Sequence, residues 1–148
     1  MKKVAEIKIS YRTPKTVLEQ PFIKCAEEAY NVLLPHFNPK TIGLQEQFII
    51  CYLARNNQVK GIYSGFTGGI SSTTADMRII LGIALKSGST SIIVSHNHPS
   101  GNLKASHSDI ELTKKLKEAC TTMDLVLLDH LIISPFGAYS SMCDEGLL

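Results

Sequence analysis

Ser91–Asp109 reads SIIVSHNHPSGNLKASHSD, and this stretch decides how the chain is organised. SIIVS is a short, continuous apolar run rich in β-branched residues, the pattern of a central strand buried on both faces. It leads directly into HNHPSG (His96–Gly101). Pro99 fixes the chain leaving the second histidine, and Gly101 permits an unusual turn. A helix follows from about Ser108 to Met123, with Leu112, Leu116, Ala119 and Met123 on one face. A polar cluster immediately after a central strand is where α/β proteins place their sites.

Working outward, FIICYLA (Phe48–Ala54) reads as a second buried strand. RNNQ makes a turn, and VKGIYSG (Val59–Gly65) returns as its hairpin partner. Gly65, Gly68 and Gly69 mark a loop. Ser72, Thr73 and Thr74 offer N-caps to a helix carrying Met77, Ile80, Leu81 and Ala84, which Gly88 closes. Downstream, LVLLDHLIIS (Leu125–Ser134) is a strong strand and YSSMC (Tyr139–Cys143) one more. Upstream, Val4 to Ser10 alternates and predicts a first strand, followed by a turn region with Pro14 and Pro21. Ile23, Ala26, Tyr30, Leu33 and Phe37 then recur at helical spacing until Pro39. The order implies an α/β (α+β) fold with a mixed, partly antiparallel central sheet flanked by helices. No repeat or linker divides the chain, so a single domain over 1–148 is expected, with a strand and helix in 1–40 and the core in 41–148.

The bulk properties agree. A chain of 148 residues can bury roughly two-thirds of its unfolded surface. With 44% hydrophobic and 19% charged residues, disorder is excluded. The net charge is only +2, and Lys114-Lys115-Lys117 reads as a solvated helix face, so nucleic-acid binding has weak support. Cys25, Cys51, Cys120 and Cys143 include no C-x-x-C pair and read as reduced thiols, the first three in the core. MKKVAEIKIS lacks the apolar run of a signal peptide, and no stretch is long enough to span a membrane. A cytoplasmic protein is the expectation.

His96 and His98, two residues apart in extended chain, point the same way. Asp109 comes eleven residues after His98, at a helix start, and the loop between can fold back to the imidazoles. Two imidazoles and a carboxylate suit one zinc ion, and three protein ligands leave the fourth position open, the mark of a catalytic site. Hydrolysis further needs a base and an oxyanion donor. Ser106, at the helix entry, can supply the donor. Glu46, in LQEQFII at the start of a buried strand, is the best candidate base.

H-x-H, seven residues, Ser, two residues, Asp, with a Glu on an upstream strand, resembles the motif of the JAMM (JAB/MPN) metallopeptidases. HNHPSG looks like the signature of their bacterial RadC-like branch. IALKSGSTSIIVS before it, SDIELTKKL after it, LDHLIIS and the final DEGLL support the likeness, which runs from about Thr41 to Leu148. The resemblance implies the JAMM/MPN (cytidine-deaminase-like) fold, with His96, His98 and Asp109 as zinc ligands. It implies Glu46 as general base and Ser106 as oxyanion stabiliser. It further implies a peptide or protein substrate, cut at a peptide or isopeptide bond. Two features depart from the pattern. Ala105 stands where relatives often carry proline. The helix-hairpin-helix segment associated with DNA in longer relatives is not seen here, so their DNA-repair label transfers poorly.

Blander readings accompany each residue. Ser106 and Asp109 fit a capping box, as do Ser108 and Glu111, which is compatible with metal ligation. Glu46 also fits an exposed strand end, and His107 an exposed loop. Asp129 and His130, polar within an apolar strand, fit a hydrogen-bonded structural role. His36 near a helix end suits the helix dipole. The glycines at 65, 68 and 69 lack the spacing and lysine of a phosphate loop. Neither the H-x-E and P-C-x-x-C pattern of a base deaminase nor H-E-x-x-H occurs. The alternative to a zinc hydrolase is a non-catalytic, zinc-stabilised interaction module in DNA repair or on a mobile element.

Overall fold

β1 (Gln47–Leu53) and β3 (Ser91–Asn97) are buried along their whole lengths and form the centre of the molecule. The computed structural model describes residues 4–8, 10–12, 19–68 and 75–148. Around these two strands lie α1 (Ala26–Leu33), a 3-10 turn (Leu34–His36), β2 (Val59–Thr67), α2 (Met77–Lys86), α3 (His107–Thr122), β4 (Val126–Ile133) and β5 (Tyr139–Ser141). The strands form one sheet in the order β2-β1-β3-β4-β5. Only β3 and β4 pair in parallel, joined by α3; the other pairs are antiparallel. This is the mixed, helix-flanked sheet expected.

Alternation along the strands sorts the core into two layers. Phe48, Ile50 and Tyr52 of β1 and Ile92 and Val94 of β3 pack against Ile80 and Ala84 of α2 and Leu116 and Cys120 of α3. Ile49, Cys51, Leu53 and Ile93 face the opposite way, against Ala29, Leu33 and Phe37. With both faces covered, the central strands read as unbroken apolar runs. The same alternation sends His96 toward the α3 layer and Asn97 toward the α1 layer.

β4 carries one irregularity that matters. Ile92 pairs with Leu127 and Ile93 with Asp129, so Leu128 is an extra residue. A one-residue slip exchanges the faces of everything beyond it. Leu128 packs in the α1 layer, and beyond the bulge Leu131 and Ile133 do so too. His130 between them turns to α3, where its Nδ1 lies 2.7 Å from Thr113 Oγ1. Asp129 instead closes the chain's end: its Oδ1 accepts from the backbone N–H groups of His130 (2.7 Å) and Cys143 (3.0 Å), and its Oδ2 from the Ser141 hydroxyl (2.6 Å). Asp129→Ala strands three donors, two of them buried and costing about 1–3 kcal/mol each. A loss of about 2 kcal/mol or more is expected in urea denaturation; a loss below about 1 kcal/mol contradicts this clamp.

Several sequence expectations are corrected. Residues 4–8 and 10 form no strand, and Val4 and Ile7 are 91% and 90% exposed. Alternation makes a strand only where a sheet edge accepts it. Here the residues beside the β1–β2 turn are 21–23 instead: Phe22 bridges Gln58, and Val59 N–H donates to the Pro21 carbonyl. The expected N-terminal helix stops at Leu33, before Pro39, because Pro35 opens the 3-10 turn. The cap of α2 is Asp76, whose side chain accepts from Arg78 N–H. Ser72, Thr73 and Thr74, like Gly69, Pro14 and Lys2-Lys3, lie outside the described residues. Gly88 does close α2, at φ +63°, with Ser89 N–H donating to the Ala84 carbonyl.

Cys25 is exposed at the N-cap of α1 rather than in the core, and Cys143 is exposed too. Cys51 and Cys120 are buried, and burial pushes their thiols up to about 12 and about 11. A disulfide reagent at pH 8 is therefore expected to modify two thiols in the folded chain and all four after denaturation. Reaction of all four in the native state contradicts this packing. Among the described residues, no helix is long and apolar enough to cross a membrane.

Candidate metal centre

β3 ends at Asn97, and α3 begins at His107, so the intervening loop turns the chain back on itself. Gly101 makes that return possible. Its φ is +80°, and a Cβ there would meet the Phe136 ring at 2.6 Å. Gly101 N–H donates to the His98 carbonyl, closing the turn. Ala105, which stands where relatives often carry proline, is buried against Leu103, Ile110, Ile132 and Met142, so packing holds the loop there.

Ser106 is the N-cap of α3 and Asp109 its third residue, joined in a reciprocal capping box. Asp109 N–H donates to Ser106 Oγ (3.1 Å) and Ser106 N–H to Asp109 Oδ2 (2.7 Å). The cap aims the carboxylate at the end of β3. Asp109 Oδ1 lies 3.2 Å from His96 Nε2, Asp109 Oδ2 lies 3.3 Å from His98 Nε2, and the two Nε2 atoms are 2.9 Å apart. Partial burial pushes the Asp109 carboxyl up, but hydrogen bonds from His96 and His98 overcome it and hold the group far below the usual carboxylate range. The His98 imidazole is raised, chiefly by its bond to Asp109; burial opposes this, and the Asn102 carbonyl and the Glu46 charge reinforce it.

These donors fit a divalent ion. Zinc bonds of about 2.0–2.1 Å set the donors of a tetrahedron about 3.3 Å apart. The two Nε2 atoms, 2.9 Å apart, and the two carboxylate oxygens, one 3.2 Å from His96 and the other 3.3 Å from His98, are spaced close to that value. The second hydrogen bonds agree. His98 Nδ1 lies 2.6 Å from the Asn102 carbonyl, which can only accept, so His98 carries its proton on Nδ1 and keeps Nε2 free for a metal.

A cavity of about 660 Å³ opens over this cluster, with Glu46, Ser106, Phe48 and Leu112 also in its wall. Glu46 immediately precedes β1 and is half-buried. Ser106 is exposed, and its Oγ, while accepting from Asp109, keeps its own proton to donate. His107 is exposed, as expected, but it is the first residue of α3 and borders the cavity.

Two buried groups hold the site: Asn97, which sequence reasoning missed, and His130, whose structural role it gave without linking it to the site. Asn97 Oδ1 accepts from Gln47 N–H (2.7 Å), and its Nδ2 donates to the carbonyls of Ile42 (2.6 Å) and Gln45 (3.0 Å). It therefore grips the chain on both sides of Glu46. The only signal was a polar residue between two histidines at a strand end. His130 is the second. His96 Nδ1 is 2.8 Å from His130 Nε2, and Phe48 packs on both rings. Complete burial drives the His130 imidazole well below its ordinary pKa, with the nearby His96 adding to the effect, so it is neutral. The expected hydrogen-bonded role of Asp129 and His130 is observed.

Comparison with known proteins follows the same residues. The sequence matches the RadC-like JAB domain over residues 23–147, reaching upstream of Thr41 to include α1. It is 34% identical over 146 residues to a UPF0758 protein of Porphyromonas gingivalis, covering 98% of this chain and 63% of that protein. It is 34% identical to one of Flavobacterium johnsoniae (88% and 56%) and 48% identical to one of Streptococcus sanguinis (65% and 42%). The chain thus spans 42–63% of the length of these relatives. Its sequence, its mixed sheet and its His-His-Asp cluster agree: the chain belongs to the RadC-like JAB domain family.

Proposed function

We infer that this domain is a zinc-dependent hydrolase of JAMM type, acting on a peptide or isopeptide bond. The observation that carries this reading is that the His96–His98–Asp109 cluster lines one cavity together with Glu46 and Ser106. His96, His98 and Asp109 would hold the zinc ion, which would supply Lewis-acid polarisation of the carbonyl and lower the pKa of water. The Glu46 carboxylate takes a proton from the attacking water and delivers it to the leaving amine. The water oxygen adds to the carbonyl carbon, the C–N bond breaks, and one proton ends on the amine nitrogen. The Ser106 hydroxyl donates to the carbonyl oxygen as negative charge grows there. Phe48 and Leu112 give the cavity apolar wall, which strengthens these polar contacts.

The relatives carry names without an activity, so the reaction rests on the site. The test is cleavage of a peptide library and of isopeptide-linked peptides by the chain, metal-stripped and zinc-restored. Cleavage only after zinc is restored is expected. Cleavage that survives stripping contradicts the mechanism. Failure in both states favours the non-catalytic, zinc-stabilised module.

A further inference from the structure

Behind the metal cluster, three side chains form a continuous buried relay. His96 Nδ1 meets His130 Nε2 at 2.8 Å, His130 Nδ1 meets Thr113 Oγ1 at 2.7 Å, and Thr113 Oγ1 meets the Asp109 carbonyl at 2.6 Å. His96 is 3% exposed, Thr113 2% and His130 0%. No water replaces a lost partner in such a place cheaply, so each hydrogen bond must be made.

Each neutral imidazole has one N–H and one lone pair, and the hydroxyl has one proton. The single Thr113 proton is donated to the Asp109 carbonyl, so one order remains. Thr113 Oγ1 accepts from His130 Nδ1–H, and His130 Nε2 accepts from His96 Nδ1–H. His96 Nε2 is then the nitrogen that faces Asp109 and His98. The reverse order would need the same Thr113 proton on His130 Nδ1 and would break the bond to the Asp109 carbonyl.

We propose that His130, anchored by Thr113, is the positioning residue that holds a proton on His96 Nδ1, so that Nε2 is the nitrogen His96 offers to metal. This rests on the metal reading of His96, His98 and Asp109. The bulge at Leu128 belongs to the device, since regular alternation from Leu127 would turn Asp129, not His130, toward α3. Metal-ligating histidines generally donate their second N–H to an oxygen acceptor; here another imidazole accepts it, and that acceptor can also donate. Metal at His96 Nε2 therefore leaves no N–H of the relay unpaired.

The test uses the full chain with Zn²⁺ alone, in two measurements. In chelator-competition titrations, His130→Phe fills the space but leaves His96 Nδ1–H without an acceptor. Its zinc affinity is expected to fall about 10–100-fold. His130→Gln, whose amide can both accept and donate, is expected to recover most of that loss. Nitrogen-15 imidazole spectra of the wild type read the tautomers directly. His130 is expected to be protonated on Nδ1 both with and without zinc. Equal zinc affinity in wild type and His130→Phe, or a His130 protonated on Nε2, overturns the relay while leaving the metal site standing. Failure of the wild type itself to take up zinc overturns the metal reading, and the relay with it.

Discussion

Glu46→Gln is expected to lower the rate of bond cleavage by about 10²–10⁴-fold, the usual contribution of a general base, while zinc uptake stays as in the wild type. The substitution keeps shape and hydrogen-bonding reach but removes the proton acceptor. Glu46 lines the cavity but is not among the three converging donors, so the metal cluster retains its ligands. Its backbone is held independently of its side chain. The Glu46 carbonyl accepts from Gly68 N–H at 2.9 Å, and Asn97 fixes the residues on either side. The substituted chain therefore keeps its fold, and rate and metal content separate cleanly. Steady-state cleavage beside metal analysis checks this. Undiminished cleavage by Glu46→Gln removes Glu46 from the chemistry, and zinc loss in that variant makes it a ligand instead.

Zinc is also expected to hold the fold together. Two of its donors stand at the end of β3 and the third at the start of α3, so unfolding separates them and releases the ion. A ligand that binds only the folded state at about 1,000 times its Kd adds about 4.1 kcal/mol. For a domain near 150 residues, each kcal/mol moves the melting temperature by about 2–4 °C. Free zinc at that excess is thus expected to raise the midpoint by about 8–16 °C. His98→Ala, which leaves the capping box intact, is expected to abolish the shift. Differential scanning calorimetry with and without zinc measures it, and an equal shift in His98→Ala locates the stabilising ion elsewhere.

The parts legible in the sequence were those whose pattern is local. SIIVS and FIICYLA are buried on both faces, and an unbroken apolar run says so without knowledge of partners. His96 and His98 share a face by strand geometry alone. The capping box at Ser106 and Asp109 is a three-residue spacing. What escaped depends on tertiary context. Val4–Ser10 has strand alternation, but residues 21–23 pair beside the β1–β2 turn. Asp76 caps α2 because the helix starts at Met77, later than the Ser-Thr run suggests. Which face His130 occupies depends on a bulge at Leu128, and nothing in LVLLDHLIIS marks which residue is extra. Asn97 acts across a sequence separation of about fifty residues, on carbonyls and an N–H that any side chain could carry.

The proposed reaction requires one zinc ion held by His96, His98 and Asp109. Equilibrium dialysis of the chain against zinc, followed by elemental analysis, tests it most directly. The predicted result is one zinc per chain in the wild type and essentially none in His96→Ala or His98→Ala, each variant checked for folding by circular dichroism. A folded wild type that retains no zinc, or a folded His98→Ala that retains as much as the wild type, contradicts it.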